Sequence, residues 1–224
     1  MSSTGAKGET RTEEPSAAER AIARRAAEAR ATVPDLELSA DVDMAASLAL
    51  GAAQGCSTAA IVLRACALAL RAVPRANGAY RDGRFELYSR INVGFVVATP
   101  QAYLIPTVFD ADRKTLAELT EELSQLERAA LAGELAPPAY SNATFTLSDV
   151  GALGVPASTI VVNSPQAAAV SAGAIREAPV VRDGRIEPGN LMTVTLACDH
   201  RILYGAHAAA FLAELTRTLV TASA

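Results

Sequence analysis

Residues 191–198 read LMTVTLAC: Met192, Val194, Leu196 and Cys198 alternate with Thr193, Thr195 and Ala197. A period of two is the signature of a β-strand with one apolar face, and that face has to be buried in a layered fold. Carried past Cys198 and Asp199, the alternation puts His200 on the Met-Val-Leu-Cys face as the strand runs out. An imidazole titrates near neutral pH, which suits a general base. Position alone leaves two readings of His200 open, a base at a strand end or a polar residue at a turn.

The rest of the chain supplies the partners such a strand needs. Residues 15–31, PSAAERAIARRAAEARA, favour helix and stop before Pro34, and Leu36 to Asp43 alternates as a strand. Ser57 caps a mostly apolar helix running to about Val73, a helix for the core. Asp82-Gly83 and Asp183-Gly184 mark hairpins. Residues 103–110, YLIPTVFD, predict one short strand, and NATFTLSDVGALG, STIVVN and AAAVSAGAI predict three more between turns. Thr115 and Glu118 form a capping box ahead of leucines 116, 119, 123 and 126, a plain core-facing stripe. A last helix is expected from about Ala206 to Val220. Strands joined by hairpins among helices predict an α+β fold with a mixed sheet flanked by helices. The chain divides into a flexible tail, residues 1–15, and one domain, residues 16–224.

Composition closes several doors. With a net charge of −4 and no basic stripe, nucleic acid is not a partner. Cys56, Cys66 and Cys198 are odd in number and lack metal-like spacing, so neither a disulfide framework nor a metal site is expected. Each reads as a small buried side chain, with a reservation for Cys198 beside His200. The uncharged stretches Met44 to Leu63 and Val150 to Ile175 are broken by Gly51, Gln54, Gly55 and Ser57, and by Pro156 and Asn163-Ser164-Pro165. A membrane helix needs about 20 apolar residues in one run, so no membrane partner is expected. The polar N-terminus lacks a signal-peptide core, which predicts a cytoplasmic location.

Four blocks in order resemble a known family. Residues 199–205, DHRILYG, resemble the Asp-His-Arg-x-x-x-Gly signature of the dihydrolipoamide acyltransferase catalytic domain, which is related to chloramphenicol acetyltransferase. Residues 21–38, AIARRAAEARATVPDLEL, look like that family's opening helix and strand. INVGFVVATPQAYLIPTVFDADRKTLAEL and TFTLSDVGALGVPASTIVVNSPQAAAVSAGAI look like its two central blocks. The resemblance implies a chloramphenicol acetyltransferase-like trimer with its site in a channel between subunits. His200 would be the base that deprotonates the acceptor, and Ser148, in the family's TFTxS motif, would stabilise the oxyanion on the attacked thioester. Asp199, Arg201, Arg25 and Tyr204 would support the site. The family carries aspartate where Tyr204 stands, paired with an arginine matching Arg25; tyrosine cannot neutralise that arginine. Ala102 and Tyr103 depart from the family's Gly-Leu, and Tyr103 and Cys198 are candidates to line the substrate channel.

The departures shape the functional expectation. No lipoyl-lysine turn precedes the core, and the only lysines are Lys7 and Lys114. That predicts acetyl-CoA as a soluble donor, no metal, a small-molecule acceptor, and a homotrimer or a multiple of it. The resemblance is nearest to the stand-alone acetyltransferases of tetronate polyketide biosynthesis, which acetylate an exocyclic hydroxymethyl group. Two alternatives stand beside it: a core dihydrolipoamide acyltransferase of a 2-oxo acid dehydrogenase complex, and a non-catalytic trimeric scaffold.

Overall fold

The computed structural model describes residues 4–5, 8–100, 102–182 and 184–222. Lys7, Asp183 of the second hairpin turn and parts of the expected tail lie outside them. In chain order the elements are β1 (Thr4–Gly5), β2 (Gly8–Glu9), α1 (Ala17–Thr32), β3 (Asp35–Asp43), α2 (Ala45–Gln54), α3 (Thr58–Ala72), β4 (Gly78–Arg81), β5 (Arg84–Leu87) and β6 (Val93–Phe95). There follow β7 (Val97–Ala98), β8 (Tyr103–Leu104), β9 (Thr107–Val108), α4 (Leu116–Ala132), β10 (Phe145–Asp149), β11 (Ala168–Ala172), β12 (Arg176–Arg182), β13 (Arg185–Asp199) and α5 (Gly205–Val220).

The main sheet runs β12-β13-β11-β10-β6-β9, with β3 on β13 as well. It is mixed: β10 is parallel to β11 and β6, and the remaining pairs are antiparallel. The strand with the alternating run at 191–198, β13, is its spine. Leu196 faces Leu38 of β3 on one side and Val170 of β11 on the other. Met192, Val194, Leu196 and Cys198 all enter the apolar core, as their period requires.

Helices α3 and α5 cover that face. Nine residues of α3 are buried, and Phe211 of α5 meets Phe145 of β10 with ring centroids 5.6 Å apart. The capping boxes at Ser16–Glu19 and Thr115–Glu118 both form, and Leu116, Leu119 and Leu123 are buried. The stretch Met44 to Leu63 is α2, a left-handed turn at Gly55, and the start of α3, the two helices bent by 115°. No single helix among the described residues is long and apolar enough to cross a membrane. Helix α1 buries only Ala29 in its own chain and is tied at its end by the Arg30–Asp35 ion pair.

Two strand expectations change. Residues 103–110 are not one strand: Pro106 has no N–H to give a ladder, so Tyr103–Leu104 pairs with β7 and Thr107–Val108 with β6. Residues 158–163, STIVVN, form no strand at all. They cross the sheet's other face, where Val162 and Ile160 pack on Ala197 and Asn163 Nδ2 donates to Thr146 Oγ1 at 3.1 Å. The β-branched side chains there serve burial rather than pairing.

That second face is polar along one row. Ser148 of β10 stands in register with Ser171 of β11, Ser171 with Thr195 of β13, and Thr195 with Ser39 of β3. The Ser39 and Thr195 hydroxyls are hydrogen-bonded at 2.9 Å.

Candidate active site

The chain turns where β13 ends, and Asp199 makes the turn. Its carbonyl accepts from Leu203 N at 2.9 Å and Ile202 N at 3.1 Å. Its buried carboxylate accepts from Arg201 N at 2.9 Å and, in a fork, from Arg201 Nε at 2.9 Å and Nη2 at 2.7 Å. A buried carboxylate needs such a partner, and the pairing in turn holds the Arg201 guanidinium above its usual pKa. Arg201 also lies 4.7 Å over the Tyr80 ring. Between these clamped neighbours, His200 donates its backbone N–H to Pro34 O at 2.9 Å and leaves its imidazole exposed. This corrects the strand reading of His200. The period stops at Asp199, so the imidazole stands outside the core face rather than on it.

Tyr204 is the N-cap residue of α5 and makes no side-chain capping bond. Its ring lies 6.0 Å from that of His200 and 5.8 Å from that of His207. The guanidinium over it belongs to Arg75, at 5.6 Å, and not to Arg25. Arg25 lies exposed on α1, and its side chain has no hydrogen bond or ion pair to a described residue. No sequence signal points to Arg75, because 129 positions separate it from Tyr204.

Ser148 is half-buried near the end of β10. The chain beyond it is held by Asp149 Oδ1 accepting from Gly151 N at 2.9 Å, and by residues 151–156 seated on Gly173. Desolvation raises the pKa of the half-buried Asp149 above the usual carboxylate range. A Cβ at Gly173 would sit 2.0 Å from the Pro156 carbonyl oxygen. Gly173→Ala is therefore expected to lower stability by about 1–3 kcal/mol, which would be read as a drop in thermal midpoint.

Cys198, a candidate to line the channel, opens to no surface of its own chain. It is fully buried in the core, its Sγ 3.5 Å from Leu36 O and 3.6 Å from Leu203 O. Burial, helped by the nearby Asp199 and Asp35 charges, pushes its thiol up to about 12. Cys66 is buried and pushed up to about 12 as well, whereas Cys56 is partly exposed. A thiol reagent added to the native chain is expected to label Cys56 alone; labelling of Cys198 before unfolding would contradict this placement.

One chain does not bring Ser148 and His200 together. Through the register, Ser148 is level with Thr195, five residues short of His200 on β13 and two strands away. That is roughly 16 Å along the strand and about 10 Å across the sheet. Tyr103, exposed on β8, belongs to the Ser148 end, since β7 continues from the Val96 N–H bonded to Leu147 O. Tyr204 belongs to the other.

The model of the 2-oxoacid dehydrogenases acyltransferase catalytic domain matches residues 7–223. The chain belongs to this acyltransferase family. The dihydrolipoyllysine-residue acetyltransferase component of the pyruvate dehydrogenase complex from Rhizobium meliloti strain 1021 is 34% identical over 209 residues, covering 88% of this chain and 47% of the relative. The chain thus spans about half the length of such curated relatives. The structure of dihydrolipoamide acetyltransferase from Azotobacter vinelandii superposes with a TM-score of 0.91 at 27% identity, covering 96% of this chain and 93% of that one. It was used to investigate a serine, a histidine and an asparagine in that enzyme's catalytic mechanism. Those three residues have the same separations along the chain as Ser148, His200 and Tyr204 have here. A chloramphenicol acetyltransferase shares the fold, with a TM-score of 0.56 at 16% identity over 88% of this acyltransferase domain and 94% of its own chain.

Proposed function

We propose that this acyltransferase domain moves an acyl group between a coenzyme A thioester and the thiol of a dihydrolipoyl group, with His200 as base and Ser148 as oxyanion donor. The observation that carries the reading is the retained serine and histidine at the separation found in the Azotobacter enzyme. The exposure of the His200 imidazole at a rigid turn suits the role. In the forward step the His200 imidazole takes the acceptor S–H proton as sulfur attacks the thioester carbonyl. The Ser148 hydroxyl donates to the carbonyl oxygen as it becomes an oxyanion. The carbon–sulfur bond to coenzyme A then breaks, and the imidazolium returns its proton to the departing thiolate.

The separation of the two groups within one chain supports a site built from two copies. The reading therefore includes a homotrimer, or a multiple of it, in which each His200 meets a neighbour's Ser148. The sparse packing of α1 on its own chain supports a partner for that helix. With a soluble acyl-CoA as donor, the reading also carries a cytoplasmic location and the single catalytic unit, residues 16–224.

A second reading keeps the donor, base and oxyanion donor and gives the acyl group to a hydroxyl, such as the hydroxymethyl of a tetronate intermediate in polyketide biosynthesis. Tyr204 favours it, an aromatic ring where the Azotobacter enzyme has a short amide. Incubating the purified protein with acetyl-CoA and dihydrolipoamide tests the first reading. Chromatographic appearance of S-acetyldihydrolipoamide, with no net change in free thiol, is the expected result. Failure with dihydrolipoamide, combined with net thiol release on addition of a hydroxylated acceptor, would replace it with the second.

A further inference from the structure

Arg75 differs from the other guanidinium beside the site. Arg201 is paired through Nε and Nη2 with the Asp199 carboxylate. The Arg75 side chain has no hydrogen bond and no ion pair to any described residue, and its guanidinium carbon lies 4.9 Å over the Phe85 ring and 5.6 Å over that of Tyr204. A guanidinium held by ring contacts alone, with no carboxylate on its N–H groups, keeps those donors for a ligand. Those donors form the fork that grips a planar, delocalised anion such as a carboxylate or enolate. A second polar group at the same ring also lacks a partner: His207 Nδ1 is buried without a hydrogen bond, and its imidazole meets the Tyr204 ring at 5.8 Å. A buried nitrogen without a partner is uncommon in a folded chain.

We infer that Arg75, held by Tyr204 and Phe85, is the anion-binding subsite for the acyl acceptor, so that the preferred acceptor carries a carboxylate or enolate close to the group acylated at His200. This deepens the acyl-transfer reading and rests on it for the position of the reacting group. The spacing decides between the two anionic substrates. The Tyr204 centroid is 5.6 Å from the guanidinium and 6.0 Å from the His200 centroid, which puts Arg75 within about 12 Å of the imidazole. The extended arm of coenzyme A places its first phosphorus about 16 Å from its sulfur, whereas the carboxylate of dihydrolipoate lies about 8–10 Å from its thiols. With the reacting sulfur at His200, the anion of a compact acceptor reaches Arg75, and an extended coenzyme A phosphate overshoots it.

The test compares dihydrolipoate with dihydrolipoamide, which differ only at the carboxyl end, an anionic carboxylate in one and a neutral amide in the other. In the native chain kcat/KM is expected to favour the acid by about tenfold. In Arg75→Ala that ratio falls towards one, and Arg75→Lys, which keeps the charge without the fork, lies between. A native ratio near one, or a ratio unchanged in Arg75→Ala, overturns the inference. Repeating the series with S-acetylpantetheine, a donor without phosphate, separates the sources: an Arg75→Ala effect that vanishes there assigns the arginine to coenzyme A phosphates and overturns the assignment to the acceptor. Calorimetric binding of both acceptors without donor separates this inference from the reaction itself. Preferential binding of the acid, lost in Arg75→Ala, supports the subsite even if neither acceptor is acylated, an outcome that defeats only the acyl-transfer reading. Equal binding of acid and amide overturns the subsite whatever the turnover.

Discussion

His200→Ala is expected to lower kcat for acyl transfer from acetyl-CoA by roughly 10²–10⁴-fold, the range for loss of a positioned general base. The same substitution is expected to move stability by no more than about 0.5 kcal/mol, as for other exposed positions. The local geometry is the reason for separating the two effects. The imidazole is exposed and has no hydrogen bond to a described residue, while the bond to Pro34 uses the backbone N–H, which alanine keeps. The Asp199–Arg201 fork and the Ile202 and Leu203 bonds that shape the turn do not involve the side chain at 200. Steady-state kinetics with a thermal melt on the same preparation reads both. Undiminished turnover would remove His200 from the chemistry. A large fall in melting temperature would make it a structural residue of the turn.

Ser148→Ala is the second large effect. Loss of one oxyanion donor lowers kcat by about 10²–10³-fold. The more telling result comes from combining the two inactive variants. Ser148 is level with Thr195 of β13, five residues short of His200 and two strands away, so the proposed site draws the two groups from different copies. In a ring of copies, a site is intact wherever a chain with His200 faces a chain with Ser148. Co-expressing His200→Ala with Ser148→Ala should therefore restore about one site in four when the chains mix freely. If both residues served a site within one chain, no mixed assembly would contain an intact site. Absence of recovery in an assembly shown to contain both variants would defeat the two-copy site.

The elements of the fold were legible wherever a local rule governs them. The period-two run at 191–198, the capping box at Thr115–Glu118 and the turn signal at Asp82-Gly83 each produced the element their chemistry requires, because strand faces, helix caps and tight turns are decided within a few residues. The failures share a cause. STIVVN has the composition of a strand, but composition reports burial, and here burial is met by lying across a sheet rather than joining it. Cys198 sits two residues from His200 and shares nothing of its environment, because the chain reverses at Asp199 and leaves one side chain in the core and the other outside.

The site divides along the same line. The amino-acid sequence by itself determined the family, the serine and histidine with their separation, and the mixed sheet that carries them, since motifs and periodicities are properties of neighbouring positions. Only the tertiary structure gave the distance that separates these two groups within one chain. It alone brought Arg75 to Tyr204 and left Arg25 aside. Distances across a sheet, and contacts between positions more than a hundred residues apart, follow from strand order and register, and no local pattern of residues encodes them.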